Sequence, residues 1–331
     1  MLSVLDLATV ASGASEAEAV NRSVAVAEHA ERLGYARFWT AEHHSMATIA
    51  SSAPDLIALR VADRTSTIRV GSGGVMLPNH SPLQVAERFL TLEAFHPGRV
   101  DLGVGRAPGA DPATAAALRR ADASSYPQQL AELDAYLDGS ARIQAVPRGG
   151  SRPPLYLLGS SLASARLAAA RGDAFAFAGH FAADLAVPAM RLYREQFTPG
   201  TLARPHAILA ASVVVADSAE RAEWIAGSQR LAGLDLARGV SGPLPGPEVA
   251  AARAWSERER AVVAQMTGSL VVGDQGAVHG RLQELVEATG ADELMVTSTV
   301  HGYEDHVRGL ELLAEAFGVQ GRSVASVGSG E

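Results

Sequence analysis

An apolar run ends abruptly in a carboxylate and two imidazoles at Arg37-Phe38-Trp39-Thr40-Ala41-Glu42-His43-His44. A second apolar run, at 68–76, contains Gly71-Ser72-Gly73-Gly74, and a third, at 99–106, ends in a lone arginine. Each run has the length of a short buried strand and carries reactive or small groups towards its C-terminal end. A (β/α)₈ barrel places its active site at that end of its strands. The pattern therefore predicts a parallel barrel whose functional groups gather at one mouth.

The rest of the chain alternates strand and helix signals with short connections, which favours parallel strands joined by crossover helices. The eight strand candidates are 2–8, 37–41, 68–76, 99–104, 154–159, 174–178, 206–216 and 293–298. We expect one domain over 1–318, an α/β (β/α)₈ TIM barrel with insertion loops over its C-terminal mouth. The segment 238–257, rich in proline and glycine, is expected to be a lid. The small, polar tail at 319–331 is expected to be disordered.

Composition excludes several classes of function. The 331 residues include no cysteine, which removes thiolate catalysis, iron–sulfur ligation and disulfides, and no lysine, which removes Schiff-base enzymes. A net charge of −8 with scattered arginines disfavours nucleic-acid binding. There is no apolar run long enough for a membrane span, and the N-terminus lacks the basic region of a signal peptide, so we expect a cytoplasmic protein.

Glu42, His43 and His44 admit three interpretations. They could be a polar strand end satisfied by backbone groups, metal ligands, or acid–base groups, since an imidazole exchanges protons near neutral pH. Chelation by His43 and His44 is unfavourable because adjacent strand residues point to opposite faces, and no further ligand cluster is evident. We therefore expect no metal, and the structural and acid–base alternatives remain.

The later predicted strands end in small residues and, in one case, an arginine. Gly71-Ser72-Gly73-Gly74 could be a β-bulge, or a surface for a flat ligand where any side chain would collide. Arg106 could form a structural ion pair or bind phosphate. Gly159-Ser160-Ser161 joins a strand to a helix whose free amides and dipole favour an anion. Together these groups suggest a planar, phosphorylated cofactor.

Three motifs resemble those of the bacterial luciferase-like flavin monooxygenases, in the family's order and spacing: Ala41–His44, Arg69–Pro78 and His96–Arg106. The stretch Gly290–Val296 also resembles the family's last barrel strand. The similarity covers about residues 2–316 and fits the single-chain, alkanal monooxygenase alpha-chain-like subgroup. It implies a barrel that takes reduced FMN from a separate flavin reductase. With O₂ the flavin would form a C4a-peroxyflavin that oxidises an aldehyde or another small organic substrate.

The resemblance also implies residue roles. His43 matches the family's catalytic histidine, and we take Glu42 and His44 beside it as further catalytic candidates. Gly73 and Gly74 match a non-proline cis peptide behind the flavin ring, a costly bond that glycine eases because no side chains clash across it. The remaining expected cofactor contacts are Ala8 facing the ring, and Arg106, Ser160 and Ser161 around the phosphate, with Gly105 and Gly159 adjoining them.

Two positions depart from the luciferase alpha chain, which has a cysteine where this chain has Gly105 and a glutamate where it has Gly159. Light emission is therefore not implied. Two rival functions stay open: an F420-dependent hydride-transfer oxidoreductase of the same superfamily, and a non-catalytic flavin-binding protein. The arginine-rich, lysine-free composition suggests a high-GC genome, in which F420 is plausible, but no cluster of basic residues at the barrel rim supports binding of its polyglutamate tail. By family analogy we expect a homodimer.

Overall fold

Eight parallel strands close into a barrel in the computed structural model, which describes residues 1–321. The strands are β1 (Leu2–Asp6), β2 (Arg37–Thr40), β3 (Arg69–Met76), β4 (Val100–Gly105), β5 (Leu155–Gly159), β6 (Ala174–Ala178), β7 (Ala207–Ala216), β8 (Val271–Asp274) and β9 (Glu293–Thr297). The closed ring runs β1–β2–β3–β4–β5–β6–β7–β9 and back to β1. The predicted (β/α)₈ barrel is confirmed, with all eight predicted strands in the ring.

Helices connect the strands around the outside of the ring. They are α1 (Glu16–Leu33), α2 (Pro54–Arg64), α3 (Pro82–Phe95), α4 (Pro112–Ala117), α5 (Tyr126–Leu137), α6 (Leu162–Arg171), α7 (Ala183–Glu195), α8 (Ala219–Ala237), α9 (Pro247–Ala251), α10 (Glu257–Met266), α11 (Gln275–Thr289) and α12 (Tyr303–Ala316). A capping box of Ser15 and Glu18 begins α1, and Gly34 in a left-handed conformation ends it. No helix within residues 1–321 is long and apolar enough to cross a bilayer.

The sequence patterns do not predict β8 or α10. Strand β8 pairs with Val213–Ala216, the second half of β7, whereas the first half of β7 pairs with β6 and β9 in the ring. Strand β7 therefore leaves the ring half-way along its length, and β8 lies outside the barrel.

The proline- and glycine-rich segment 238–257 lies against the loops that follow β1 and β2. The Leu244 N–H donates to the Val10 carbonyl at 2.7 Å, and the Ser12 N–H donates to the Leu244 carbonyl at 2.8 Å. The Thr48 hydroxyl donates to the Gly242 carbonyl at 2.8 Å. Both loops are at the C-terminal mouth, so the segment sits beside the mouth. Its lid role and the single domain at 1–318 stay predictions.

The predicted disordered tail, 319–331, falls outside the described residues from 322 onward. Within the described part, Val319 packs against the core between α1 and α12.

A buried ionic cluster fills the N-terminal end of the barrel interior. Arg37 Nε donates to Glu293 Oε1 at 2.7 Å, and Nη1 donates to Asp101 Oδ2 at 2.7 Å. Arg69 Nη2 donates to the other oxygen of Asp101 at 2.6 Å, and the Ser3 hydroxyl donates to Glu293. All five residues are first or second on their strands. The cluster therefore lies at the end of the barrel opposite the mouth.

The interior above this cluster is apolar. Its buried members are Leu5, Trp39, Ala41, Tyr156, Ala174, Ala176, Ile208, Ala210 and Met295. Because successive strand residues point to opposite faces, Trp39 and Ala41 point inward, whereas Phe38 packs outward against helix residues. His43 lies three residues beyond the end of β2 and therefore at the mouth.

Candidate active site

Glu42 is a buried acceptor that holds together the ends of β2 and β3. Its Oε1 accepts from His44 Nε2 at 2.8 Å, His80 Nε2 at 2.9 Å and Asn79 Nδ2 at 3.2 Å. Its Oε2 accepts from the Met76 N–H at 3.0 Å. Burial raises the pKa of Glu42, but the hydrogen bonds from His80, His44 and Met76 outweigh it and hold this pKa below its ordinary value. This carboxylate is therefore charged at neutral pH and already engaged by protein groups.

His43 differs from its two neighbours. Its backbone N–H donates to the Ser51 carbonyl at 2.9 Å, but its buried Nδ1 has no hydrogen-bond partner within residues 1–321. Burial lowers the pKa of His43, so the ring is neutral at pH 7. Buried polar atoms are nearly always paired, so an open ring nitrogen on the interior side of β2 is available to a ligand. The structure separates the three candidates: Glu42 and His44 bond each other, and His43 faces the mouth. Their catalytic roles stay predictions.

Gly73 and Gly74 are joined by a cis peptide bond, as the resemblance implies. A Cβ on Gly73 would lie 2.6 Å from Leu5 Cδ1, and one on Gly74 would lie 2.7 Å from the Gly103 carbonyl oxygen. The β3–β4 register shifts between Ser72 and Val75, so the irregularity expected of a bulge is present. Backbone contacts therefore require glycine at Gly74, whereas a side chain in place of Gly73 would displace Leu5 and press on Trp39 Cβ, 3.1 Å away. The flat-ligand interpretation is compatible with this wall and stays a prediction.

Arg106 directly follows β4 and Ser160 directly follows β5, and these two strands pair with each other. Arg106 is exposed, and its guanidinium forms no ion pair with any residue in 1–321, so the structural ion pair is not found. Ser160 is also exposed. Ser161 instead caps α6, where its Oγ accepts from the Ser164 N–H at 3.2 Å. Two of the three predicted anion-binding side chains are thus free of protein partners.

Gly159 makes that cap possible. A Cβ at this position would lie 2.1 Å from Ser164 Oγ, the hydroxyl that donates to the Ser161 carbonyl at 2.7 Å. Gly105 is different, because a Cβ there would meet only the flexible Met76 side chain, at 3.3 Å. The departure at Gly159 therefore has a local structural reason.

Ala8, predicted at the end of the first strand and facing the flavin ring, lies two residues beyond β1 and has an unusual backbone. Its φ is 48°, a left-handed conformation that non-glycine residues seldom adopt and that often marks functional sites. The Ala8 N–H donates to Asp6 Oδ1 at 2.7 Å, and the Ser23 hydroxyl donates to the same oxygen at 2.6 Å. Asp6 therefore fixes the turn that follows β1 at the mouth.

A family model for luciferase-like monooxygenases matches residues 1–293. The chain belongs to this family. A luciferase-like monooxygenase of Escherichia coli (strain K12) is 43% identical over 317 residues, which are 94% of this chain and 95% of the relative. The crystal structure of apo-MsnO8 is 37% identical, has a TM-score of 0.91 and matches 96% of this chain and 98% of its own.

A more distant structure shows the fold alone. It is the oxygenating constituent of 3,6-diketocamphane monooxygenase from Pseudomonas putida in complex with FMN. It is 17% identical with a TM-score of 0.69, over 96% of this chain and 97% of that one.

Sequence reasoning missed three polar residues at the mouth of this luciferase-like monooxygenase. Asn79 and His80, which donate to Glu42, follow β3 directly. His180 lies two residues beyond β6. The rule that selected His43, a polar group just past a buried strand, would have found all three. Among residues 1–321, no group of three or more histidines or carboxylates is arranged to hold a metal ion.

Proposed function

We propose that this protein is a flavin-dependent monooxygenase that uses reduced FMN and O₂ to oxidise an aldehyde or another small organic substrate. The observation that carries the proposal is the His43 Nδ1, unpaired within residues 1–321, just past the end of β2 and beside the Gly73–Gly74 wall of β3, at the mouth of a luciferase-like barrel. Catalytic groups of such barrels lie at that mouth. The proposed setting is the cytoplasm.

The residues present fit FMN. The glycine wall offers backbone without side chains to a planar ring, and Ala8 lies in the loop that follows β1. Arg106 and Ser160 offer a cation and a hydroxyl that no other side chain within residues 1–321 pairs, which suits a phosphate. Reduced FMN bound there would supply the electrons that activate O₂.

His43 would act as the proton carrier. A neutral imidazole accepts a proton at one ring nitrogen and returns it later, and the depressed pKa of His43 keeps it neutral at pH 7. Glu42 would serve as a positioning residue, since it holds His44 and His80 and thereby the ends of β2 and β3. The 238–257 segment beside the mouth would exclude water when substrate is bound.

A stopped-flow comparison of cofactors tests the proposal. Protein loaded anaerobically with reduced FMN is mixed with oxygenated buffer and n-alkanals, and both carboxylic acid product and hydrogen peroxide are measured. We expect product to form at the expense of free peroxide. Stoichiometric peroxide with every substrate would contradict the proposal. Tighter binding of F420 than of FMN, with hydride transfer under anaerobic conditions, would favour the F420-dependent rival.

Two partners belong to the proposal. A separate flavin reductase would supply reduced FMN, and two copies of the chain would form a homodimer, as the family resemblance implies. Light scattering of the purified chain measures its oligomeric state directly, and a monomer at micromolar concentration would contradict the proposed homodimer.

The Arg106→Ala variant should bind FMN about tenfold to a hundredfold more weakly, the range expected for loss of a charge-assisted hydrogen bond. Its affinity for riboflavin, which lacks the phosphate, should be unchanged. Both dissociation constants are measurable by quenching of tryptophan fluorescence. Arg191→Ala, which removes another exposed arginine from α7, is the matched control. Equal weakening for both flavins would remove the phosphate contact from the proposal.

A further inference from the structure

His180 faces His43 across the mouth. Strands β2 and β6 lie on opposite sides of the eight-strand ring. Ala174 and Ala176 of β6 point into the same interior cluster as Ala41 of β2. His43 lies three residues beyond the end of β2 and His180 two residues beyond the end of β6, so both histidines lie at the C-terminal mouth. Burial lowers the pKa of His180 to about 4, and the nearby His43 ring contributes to this depression, whereas a hydrogen bond with the Ala210 carbonyl opposes it.

The His180 backbone is held by two hydrogen bonds, and its ring also contacts the Ala210 carbonyl. Its N–H donates to the Ala210 carbonyl at 3.1 Å, and its carbonyl accepts from the Ser269 hydroxyl at 2.8 Å. The ring packs on Phe181 with centroids 4.2 Å apart. Its buried Nδ1 has no hydrogen-bond partner within residues 1–321. A buried donor or acceptor left unpaired is costly, so a ligand that pairs it gains affinity.

Phe181 supplies an apolar surface beside that imidazole. Its side chain is 74% exposed, the largest exposed fraction among the large apolar residues of the described chain. An exposed aromatic at the edge of a binding site is a usual contact for the apolar part of a ligand. The neighbouring imidazole is uncharged at neutral pH and can hydrogen-bond an uncharged polar group. The pair therefore suits a ligand with a neutral polar head and an apolar body.

We propose that His180 and Phe181 form the substrate-binding wall opposite His43. The His180 imidazole hydrogen-bonds the polar group of an uncharged organic substrate, and the Phe181 ring packs on its apolar part. This inference rests on the proposed function, because it takes the mouth of the barrel as the place of oxidation. It adds the substrate class and the residues that select it.

The placement of His180 is tested without any ligand. Because the chain has no cysteine, a His43→Cys/His180→Cys double variant carries two thiols and no others. We expect a short bifunctional thiol reagent to bridge them within one chain, as read by mass spectrometry. His43→Cys/His279→Cys is the control, since His279 packs on Phe317 just beyond the end of α12, away from the mouth. Absence of a 43–180 bridge, or equal bridging in the control, would overturn the placement.

The binding role is tested with n-heptanal and the protein loaded with oxidised FMN. Heptanal cannot form Schiff bases with side chains here because the chain has no lysine. His180→Leu should weaken heptanal binding about threefold to tenfold through loss of a neutral hydrogen bond. Phe181→Ala should weaken it about tenfold through loss of apolar contact. His180→Asn, which keeps a polar atom near the position of Nδ1, should recover part of the affinity.

The controls separate this inference from the proposed function. His279→Leu and Phe317→Ala remove the other paired histidine and phenylalanine and should bind heptanal as the wild type does. All variants should keep the FMN dissociation constant within about twofold of the wild type, because neither ring is assigned to the cofactor. Equal heptanal affinity in all proteins, including no measurable binding in any, would overturn the inference. A wild type that binds no FMN would instead overturn the proposed function, while the cross-link still decides the placement.

Discussion

Replacing His43 with alanine should lower product formation by about two to four orders of magnitude, the usual effect of losing a general acid–base group. The imidazole lies past the end of β2 with a buried, unpaired Nδ1, and burial lowers its pKa below the ordinary value. Among the candidates at this strand end it is the ring that Glu42 does not engage. Its loss removes proton transfer and leaves the glycine wall and Arg106 untouched. Turnover is measured with chemically reduced FMN, so that no reductase step limits the rate.

The companion measurement is the dissociation constant for FMN, which should stay within about twofold of the wild type because His43 is not assigned to the cofactor. His43→Gln is the matched control: it keeps polarity and similar volume but cannot exchange a proton near neutral pH. It should be as slow as the alanine variant. Unchanged turnover in either variant would remove His43 from catalysis, and a large loss of FMN affinity would make it a cofactor-binding residue.

The barrel strands could be predicted because each is apolar and ends in small or polar residues. Strand β8 is as short as β2, but it is a ninth strand that pairs with the part of β7 that has left the ring, and its place outside the barrel could not be predicted. Helix α10 has only Val263 buried, so it lacks the apolar stripe by which a helix is recognised. Both elements depend on tertiary contacts that no local pattern encodes.

Part of the candidate site could likewise be predicted from the sequence, and part could not. The alternation of an extended chain predicts that His43 and His44 face apart. The structure agrees, because the His44 ring bonds Glu42 and the His43 ring does not. That Glu42 is committed to protein partners could not be predicted, because His80 comes 38 residues later and meets it only when β2 and β3 pair. The ionic cluster at the other end of the barrel is even harder to predict from the sequence, since Arg37 and Glu293 are 256 residues apart. A single sequence gives chemical types at strand ends, whereas their pairing needs the register of the closed ring.

Replacing Arg37 with methionine should lower the free energy of unfolding by about 3–5 kcal/mol, the range for removing one partner of a buried ion pair. The side chain is buried and donates to Glu293, Asp101 and the Tyr156 hydroxyl at 2.7, 2.7 and 2.9 Å. Asp101 would keep its bonds from Arg69, but Glu293 would keep only Ser3 and a His206 ring nitrogen 3.5 Å from Oε2. Urea unfolding followed by circular dichroism measures the change.

Two variants test whether the charge of Glu293 is the cause. Arg37→Met/Glu293→Gln should recover part of the lost stability, because the unpaired carboxylate is gone. Arg281→Met removes an arginine from an exposed pair with Glu284 and should change the free energy of unfolding by less than about 1 kcal/mol. A double variant no more stable than Arg37→Met would assign the loss to packing instead.

The dependence of stability on pH gives an independent test of the Arg37–Glu293 ion pair. Burial raises the pKa of Glu293, but the nearby His206 ring and the charge and hydrogen bond of Arg37 outweigh it and lower this pKa from 4.5 to about 2. A depressed carboxylate pKa gives stability that is fully present above the unfolded value and is lost as the pH falls from about 4.5 towards 2. Without Arg37, burial is less opposed and the pKa of Glu293 rises. The acid unfolding midpoint of Arg37→Met should therefore move to higher pH, whereas Arg281→Met should unfold with the wild type. An unchanged midpoint in Arg37→Met would mean that the arginine does not hold Glu293 ionised.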